Sequence, residues 1–310
     1  MAKIGTKDGY YTMEKYGDMV TQANVHYGKV FMDFPDVSLL SHILETMSSG
    51  LTGSGNYILF QEDVVVLVTD SKQYGFRYFV RLNTENYEFL EGVEDVSQFC
   101  VILRTEFAAI KQLLNKAKPK DPNIKNIEIT KQANDTILDF YAPTGDQQTT
   151  QINCYAMTAM VPEPHLDSSM VFEFSTDIVF RVCNNMGSTN SDQVHIYVAR
   201  DRATCHFYAY APVDQTKTEG TIGDSIREDE FEPELGNVSL KCKSNFTHFR
   251  THKRAIRAVA KIAQRAKSFH STTMHLFLEL GDSPCLCFSA QYTPESMLEQ
   301  DEKIYIYAQK

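Results

Sequence analysis

Arg250, Arg254, Arg257, Lys261 and Arg265 recur at spacings of four, three, four and four residues, in and just before the stretch THKRAIRAVAKIAQRAKS at 251–268. On a helix turning ~100° per residue they fall within a stripe roughly 80° wide. Ile256, Val259, Ala260 and Ala263 occupy the opposite face. Ordinary solvated helix faces mix signs, whereas residues 251–268 contain no acid. A one-signed cationic stripe suits a polyanion, because Lys and Arg gain affinity by releasing the counterions condensed on phosphates. The stripe is also at odds with its surroundings, since the chain carries 40 Asp+Glu against 30 Lys+Arg, a formal charge of -10.

Other chemistry is missing from the sequence. There is no Walker motif, no Gly-rich dinucleotide turn after a strand and no HExxH. LTGSGN at 51–56 follows a helix end and precedes a strand, so its glycines read as a turn. Asp63, Asp70 and Asp121 sit at turn positions, where Asp satisfies local backbone. His42, His195, His206 and His275 are dispersed through strands and helices, a pattern of packed or solvated side chains. The seven cysteines, Cys100, Cys154, Cys183, Cys205, Cys242, Cys285 and Cys287, are scattered and mostly lie in apolar runs, which suggests buried thiols in a reducing compartment. No catalytic residue, metal or cofactor is expected. No run approaches the ~20 apolar residues of a membrane span, and the first residues lack a signal-peptide core, so no membrane partner is expected either. The acidic run at 227–234 reads as a solvated loop.

The elements that would position the stripe come in a repeated order. Residues 1–28 are polar and Tyr/Gly-rich, without usable periodicity, and form an N-terminal extension. From 29 to 157 the chain reads strand (KVFMDF), helix (Leu40, Ile43, Leu44 and Met47 on one face), several strands, a second helix (Phe107, Ile110 and Leu114 inward) and three more strands. TAMVPEPHLDSS, with two prolines and no alternation, marks a linker at 158–169. Residues 170–310 begin again: a strand (MVFEF), a helix capped by Ser175 with Ile178, Val179, Val182 and Met186 inward, strands, the basic helix and three closing strands. The fold class is α+β, with two like-folded domains, each pairing antiparallel sheets on the outside with two helices on the inner face. Lys111 and Lys118 on the second helix and Arg181 on the third add to the positive surface. The first helix shows Ser41, His42, Glu45 and Ser48 instead.

This organisation resembles the sliding clamp superfamily, most closely the eukaryotic replication clamps (PCNA), over residues 29–310. VVVLVTDSKQYGFRYFVRL looks like the clamp segment in which a strand reaches an Asp-Ser turn and returns. FRVCNNM is similar to that family's Ala-Arg-Ile-Cys helix, which would put Arg181 on the pore, and KIYIYAQK is similar to its terminal strand. The resemblance implies a homotrimeric ring around duplex DNA, contacting phosphates without base readout, tethering DNA polymerase and other clamp-binding proteins and served by a loader. It implies a nuclear location, or a cytoplasmic replication site for a viral protein. A partner pocket under the 158–169 connector would be built by Val161, Pro162, Leu166, Pro284, Ile306 and Ala308. Thr69, Gln73, Tyr74 and Ile306 depart from the family's residue types there. Those departures also fit a subunit of the heterotrimeric DNA-damage checkpoint clamp. From another class, a non-clamp DNA-binding protein using the helix 250–267 alone is the competing expectation.

Overall fold

The computed structural model describes residues 11–12, 19–22, 29–34, 37–48, 55–61, 64–71, 74–83, 87–91, 100–116, 127–131, 137–141, 149–157, 159–160, 163–164, 166, 170–233, 240–243, 245–280, 284–294 and 299–307. The chain divides into two compact units, each built from non-contiguous segments. The first comprises residues 1–70, 79–165 and 293–300; the second comprises 71–78, 166–292 and 301–310.

In chain order the first part runs β1 (Tyr11–Thr12), β2 (Met19–Gln22), β3 (Lys29–Phe34), α1 (Val37–Ser48), β4 (Gly55–Gln61), β5 (Val64–Ser71), β6 (Phe76–Asn83) and β7 (Tyr87–Glu91). It continues with β8 (Cys100–Thr105), α2 (Phe107–Lys116), β9 (Ile127–Lys131), β10 (Ile137–Tyr141), β11 (Thr149–Met157) and β12 (Ala159–Met160). There follow β13 (Met170–Ser175), α3 (Thr176–Gly187), β14 (Gln193–Ala199), β15 (Thr204–Ala211), β16 (Thr216–Gly223), β17 (Phe231–Pro233) and β18 (Leu240–Cys242). The last elements are β19 (Phe246–His252), α4 (Lys253–Ser268), β20 (Thr273–Glu279), β21 (Cys285–Tyr292) and β22 (Gln300–Tyr307).

Every pairing whose register is resolved is antiparallel, and the order of pairing is the same in the two units. In the first, β3–β9–β10–β11 forms one run and β8–β4–β5 another. In the second, β13–β20–β21–β22 matches the former and β19–β14–β15 the latter, with β16 beside β15 as β6 is beside β5. Two helices accompany the strands of each unit. The residues 1–28, expected to lack regular structure, include β1 and β2, and β2 pairs with β12 through Gln22↔Ala159 and Thr21↔Met160.

The helices form where the apolar spacing demands them. In α1, Leu40, Ile43, Leu44 and Met47 are buried as their i, i+3, i+4, i+7 spacing requires, and Phe107 and Ile110 anchor α2. Leu114 lies outside the described side chains. In α3 the buried row is Thr176, Val179, Cys183 and Met186. Ile178, expected inward, is 38 % exposed. It sits about 100° from Val179, and the row continues through Cys183 instead. Ser175 occupies the cap position of α3 in an extended conformation, but its side chain makes no cap hydrogen bond.

Strands that alternate or run apolar are buried as expected. In β14 and β15, Val194, Ile196, Val198, Cys205, Phe207 and Ala209 are each 0 % exposed. Two of the strands that the sequence hid are polar ones of the second unit. TKTEGTIG forms β16 at the outer edge of its sheet, with only Ile222 buried. FTHFRTH forms β19, so the helix starts at Lys253. Cys154, Cys183, Cys205, Cys285 and Cys287 are buried free thiols, and Cys242 is a half-buried one; the Cys100 side chain lies outside the described ones.

Candidate nucleic-acid interface

Helix α4 packs through an alanine-rich side. Ala255, Ala258, Ala260, Ala263 and Ala266, with Ile256, Val259 and Ile262, make its buried side. Alanine has the highest helix propensity and lets a neighbouring backbone approach closely. A Cβ placed on Gly187 at the end of α3 would stand 2.6 Å from Arg257 Cγ and 3.4 Å from its Cα. His252 caps the helix by accepting from the Arg254 backbone N–H at 3.2 Å. Arg265 and Lys267 in the last turn complement the negative end of the helix dipole.

The stripe expected on this helix is only partly there. Arg257 is exposed and Arg254 and Lys261 are half-exposed on the side away from the alanines. Arg257 Nε donates to the Gly187 carbonyl at 2.5 Å, which fixes the stem of the side chain against the end of α3. Arg254 donates to the Tyr74 hydroxyl at 3.1 Å and lies 5.2 Å from the centre of that ring, while Tyr74 also packs on His252. Tyr74, which the sequence marked only as unusual beside the Asp-Ser turn, thus positions a cation at the start of α4. Lys253, unnoticed in the sequence, pairs with Asp192 at 3.0 Å and keeps that carboxyl below the usual carboxylate range by hydrogen bond and charge.

Two members of the stripe are corrected. Arg250 is exposed but belongs to β19, opposite His195 in register. Its side chain leaves the sheet on the face opposite to that of Phe249 and Thr251, both 0 % exposed, because successive strand residues alternate. Arg265 is 8 % exposed and faces the core. On the helix it lies at the margin of the stripe, about 20° from the direction of buried Ala258. There Glu302 of β22 draws it inward. Arg265 Nε and Nη2 meet Glu302 Oε1 and Oε2 at 2.8 and 2.6 Å, and Nη2 also donates to the Tyr78 hydroxyl at 2.8 Å. Tyr78 and Tyr292 both donate to the same carboxylate. Burial alone would raise the Glu302 carboxyl, but the Arg265 charge and these hydrogen bonds hold it below its usual value.

On α3, Arg181 is well exposed and pairs with Asp177 at 3.2 Å, one turn back on the same helix. Asp177 also holds Lys267 of α4 at 2.6 Å. The hydrogen bond and charge of Lys267, with a smaller contribution from Arg181, keep the Asp177 carboxyl below the ordinary range. In the first unit Lys111 of α2 stands 3.9 Å from Glu45 of α1. Lys118 lies outside the described residues.

The expected partner pocket fares differently. Ile306 is 0 % exposed, as are its neighbours Ile304 and, nearly, Tyr305, so β22 does not offer alternate apolar residues to a partner. Among the apolar and aromatic residues of β22 Tyr307, under the Arg77 guanidinium at 5.0 Å, is half-buried. Leu166 and Pro284 are half-buried, and Val161, Pro162 and Ala308 lie outside the described residues. Thr69 is fully buried and donates to Asn56, which removes it from any surface; Gln73 lies outside the described residues.

Neither the dispersed histidines nor the acids form a metal cluster among the described residues. The sequence did not reveal that His195 and His248 meet, with Nδ1 and Nε2 2.9 Å apart across β14 and β19. No helix among the described residues is long and apolar enough to cross a membrane.

No family model and no curated protein matches the sequence. The three-dimensional comparison is decisive for the fold. The crystal structure of proliferating cellular nuclear antigen from Entamoeba histolytica superposes with a TM-score of 0.60 over 91 % of this chain and 99 % of that one, at 12 % identity. The chain has the sliding-clamp fold. Within that fold, a PCNA-like α+β arrangement of antiparallel sheets and few helices, the basic helix is a constituent of the architecture and not an appended segment. Its exposed cations therefore have a rigid frame.

Proposed function

We propose that the chain is a DNA sliding clamp, a processivity factor that encircles duplex DNA and tethers DNA polymerase and other DNA enzymes. One observation carries this reading: in a clamp fold, α4 presents Arg254, Arg257, Lys261 and Lys267 with no acid anywhere on the helix, in a chain of net charge -10. Cations on a rigid helix contact phosphates at any sequence, which is what a tether that must move along the duplex requires. The acidic balance elsewhere limits non-specific adhesion and confines attraction to this face.

Ring formation has structural support in the second unit. Strand β16 ends its sheet, leaving one edge unpaired among the described residues. Beside it lies a groove of about 600 Å³ between α3 and β16, with exposed Ile178 and half-buried Val182 in its wall. An open strand edge next to a groove that mixes Ile178 and Val182 with Glu173, Arg181 and Glu219 suits an edge strand and helix of a second copy, and three copies would close the ring. A nuclear location, or a cytoplasmic replication site in a viral setting, goes with this reading.

The test is twofold. Sedimentation should give a particle of about three times 35.3 kDa. Loading onto nicked circular duplex, and stimulation of polymerase on it, should be lost on changing Arg257→Glu together with Lys261→Glu while the fold and mass persist. A monomer that assembles only with other proteins would move the assignment to a heterotrimeric clamp. Undiminished stimulation by the double variant would remove α4 from the DNA-facing surface.

A further inference from the structure

The placement of one acid on the basic face is specific. Asp177 stands in the first turn of α3, on the row that faces α4, and its two carboxylate oxygens are divided between two helices. Oδ2 takes Arg181 at 3.2 Å and Oδ1 takes Lys267 at 2.6 Å. All three side chains are about half or more exposed, at 45, 69 and 58 %. Ion pairs this exposed contribute little to stability, so holding the fold together is a weak account of the arrangement. Its electrostatic effect is larger. One carboxylate, held ionised by its neighbours, offsets two cations that would otherwise face a phosphate directly.

We propose that Asp177 is a positioning residue that weakens the grip of the α3/α4 face on phosphate, so that the protein slides along duplex DNA and does not stall on it; this rests on the sliding-clamp reading. The mechanism is exchange. As a phosphate approaches, Lys267 and Arg181 must leave a carboxylate to meet it, and they return to that carboxylate as the phosphate moves on. The free energy of each contact is then the difference between two anionic partners and not the full gain of pairing an unpaired cation. Neighbouring positions along the backbone become close in energy, and movement between them is fast. Asp177 also keeps both long side chains against the helices between contacts. They are then not extended to grip successive phosphates, which would pin the ring.

The experiment compares wild type with Asp177→Asn and Asp177→Glu, using a plain linear duplex of random sequence over 50–200 mM salt. Asn removes the charge and keeps the shape; Glu keeps the charge. If both cations are freed for phosphate, the slope of log K against log salt should steepen by about 0.9 for each, roughly 1.8 in total. Over a fourfold rise in salt that is about a 12-fold greater loss of affinity than wild type shows, starting from tighter binding at low salt. One-dimensional diffusion on a stretched duplex should slow for Asp177→Asn, and Asp177→Glu should restore both slope and mobility. A structural role would move the melting temperature and leave the slope alone. Equal slopes for wild type and Asp177→Asn, with binding that Arg257→Glu and Lys261→Glu abolish, would overturn the proposal while leaving the clamp reading intact. No salt-dependent duplex binding by either protein would overturn both.

Discussion

Removing either half of the buried Arg265–Glu302 pair should cost far more than removing any exposed cation of α4. Glu302 is 0 % exposed and receives the guanidinium through two contacts and two tyrosine hydroxyls besides. Replacing Glu302→Leu leaves the Arg265 charge in the core without its carboxylate. Breaking a buried pair from one side costs about 3–5 kcal/mol. At about 3–4 °C per kcal/mol for a unit of this size, the melting temperature should fall by roughly 10–20 °C. Arg265→Met should be comparably damaging, because the carboxylate it leaves behind is equally buried. The double variant Arg265→Met/Glu302→Leu should recover much of the loss, since no charge remains. It would still strand the Tyr78 and Tyr292 hydroxyls at about 1–3 kcal/mol each, and adding Tyr78→Phe and Tyr292→Phe should bring stability close to wild type. Denaturant titration followed by circular dichroism measures every corner of this cycle. Single variants within about 1 kcal/mol of wild type would refute the reasoning. So would an Arg265→Met protein that melts normally but no longer binds DNA.

Acid should destabilise the second unit. Burial, then the charges of His248 and Arg250, push the His195 ring down to about 4, and burial first of all lowers His206, His248 and His252 too. The unfolded chain therefore binds protons more readily, so stability is full above pH ~6.5 and declines towards pH 4, with His195 contributing up to about 3 kcal/mol; a pH series of melting curves should show the slope, and His195→Asn should flatten it. Gly187→Ala should displace Arg257 through its Cβ clash and weaken duplex binding several-fold with a modest loss of stability, as fluorescence anisotropy would report. Leu166→Asp should leave melting nearly unchanged while reducing capture of a polymerase, whereas Ile306→Asp should unfold the second unit because Ile306 has no exposure to spare.

What the sequence made legible follows from where the energy lies. Buried runs such as VVVLVTD in β5 and QVHIYVA in β14 declare themselves, because apolar burial is what forms them and it is written in side-chain type. The same holds for α1 and for the alanine side of α4. TKTEGTIG in β16 is silent because an edge strand is held mainly by backbone hydrogen bonds to one neighbour, which any residue can make. Arg265 misled for a different reason. Periodicity gives the direction of a side chain but not its partner, and the partner here lies 37 residues away in β22. Ile306 misled in the same way: alternation suggested one free face, yet β22 is covered on both.

The interleaving of the two units constrains how the protein can be made. The first unit requires residues 293–300, which the ribosome delivers only after the bulk of the second, residues 166–292, has been synthesised. Domains that emerge at 5–20 residues per second usually settle one after another from the N-terminal side. Here the earlier half lacks its last segment for seconds while the later half is translated. The second unit waits as well, since Arg265 leaves the exit tunnel well before Glu302 and must stay hydrated until its counter-ion arrives. Both halves therefore reach completion together, on the synthesis of one short stretch of chain around residue 300, and a nascent chain halted before that stretch should be a target for chaperones rather than a half-built clamp.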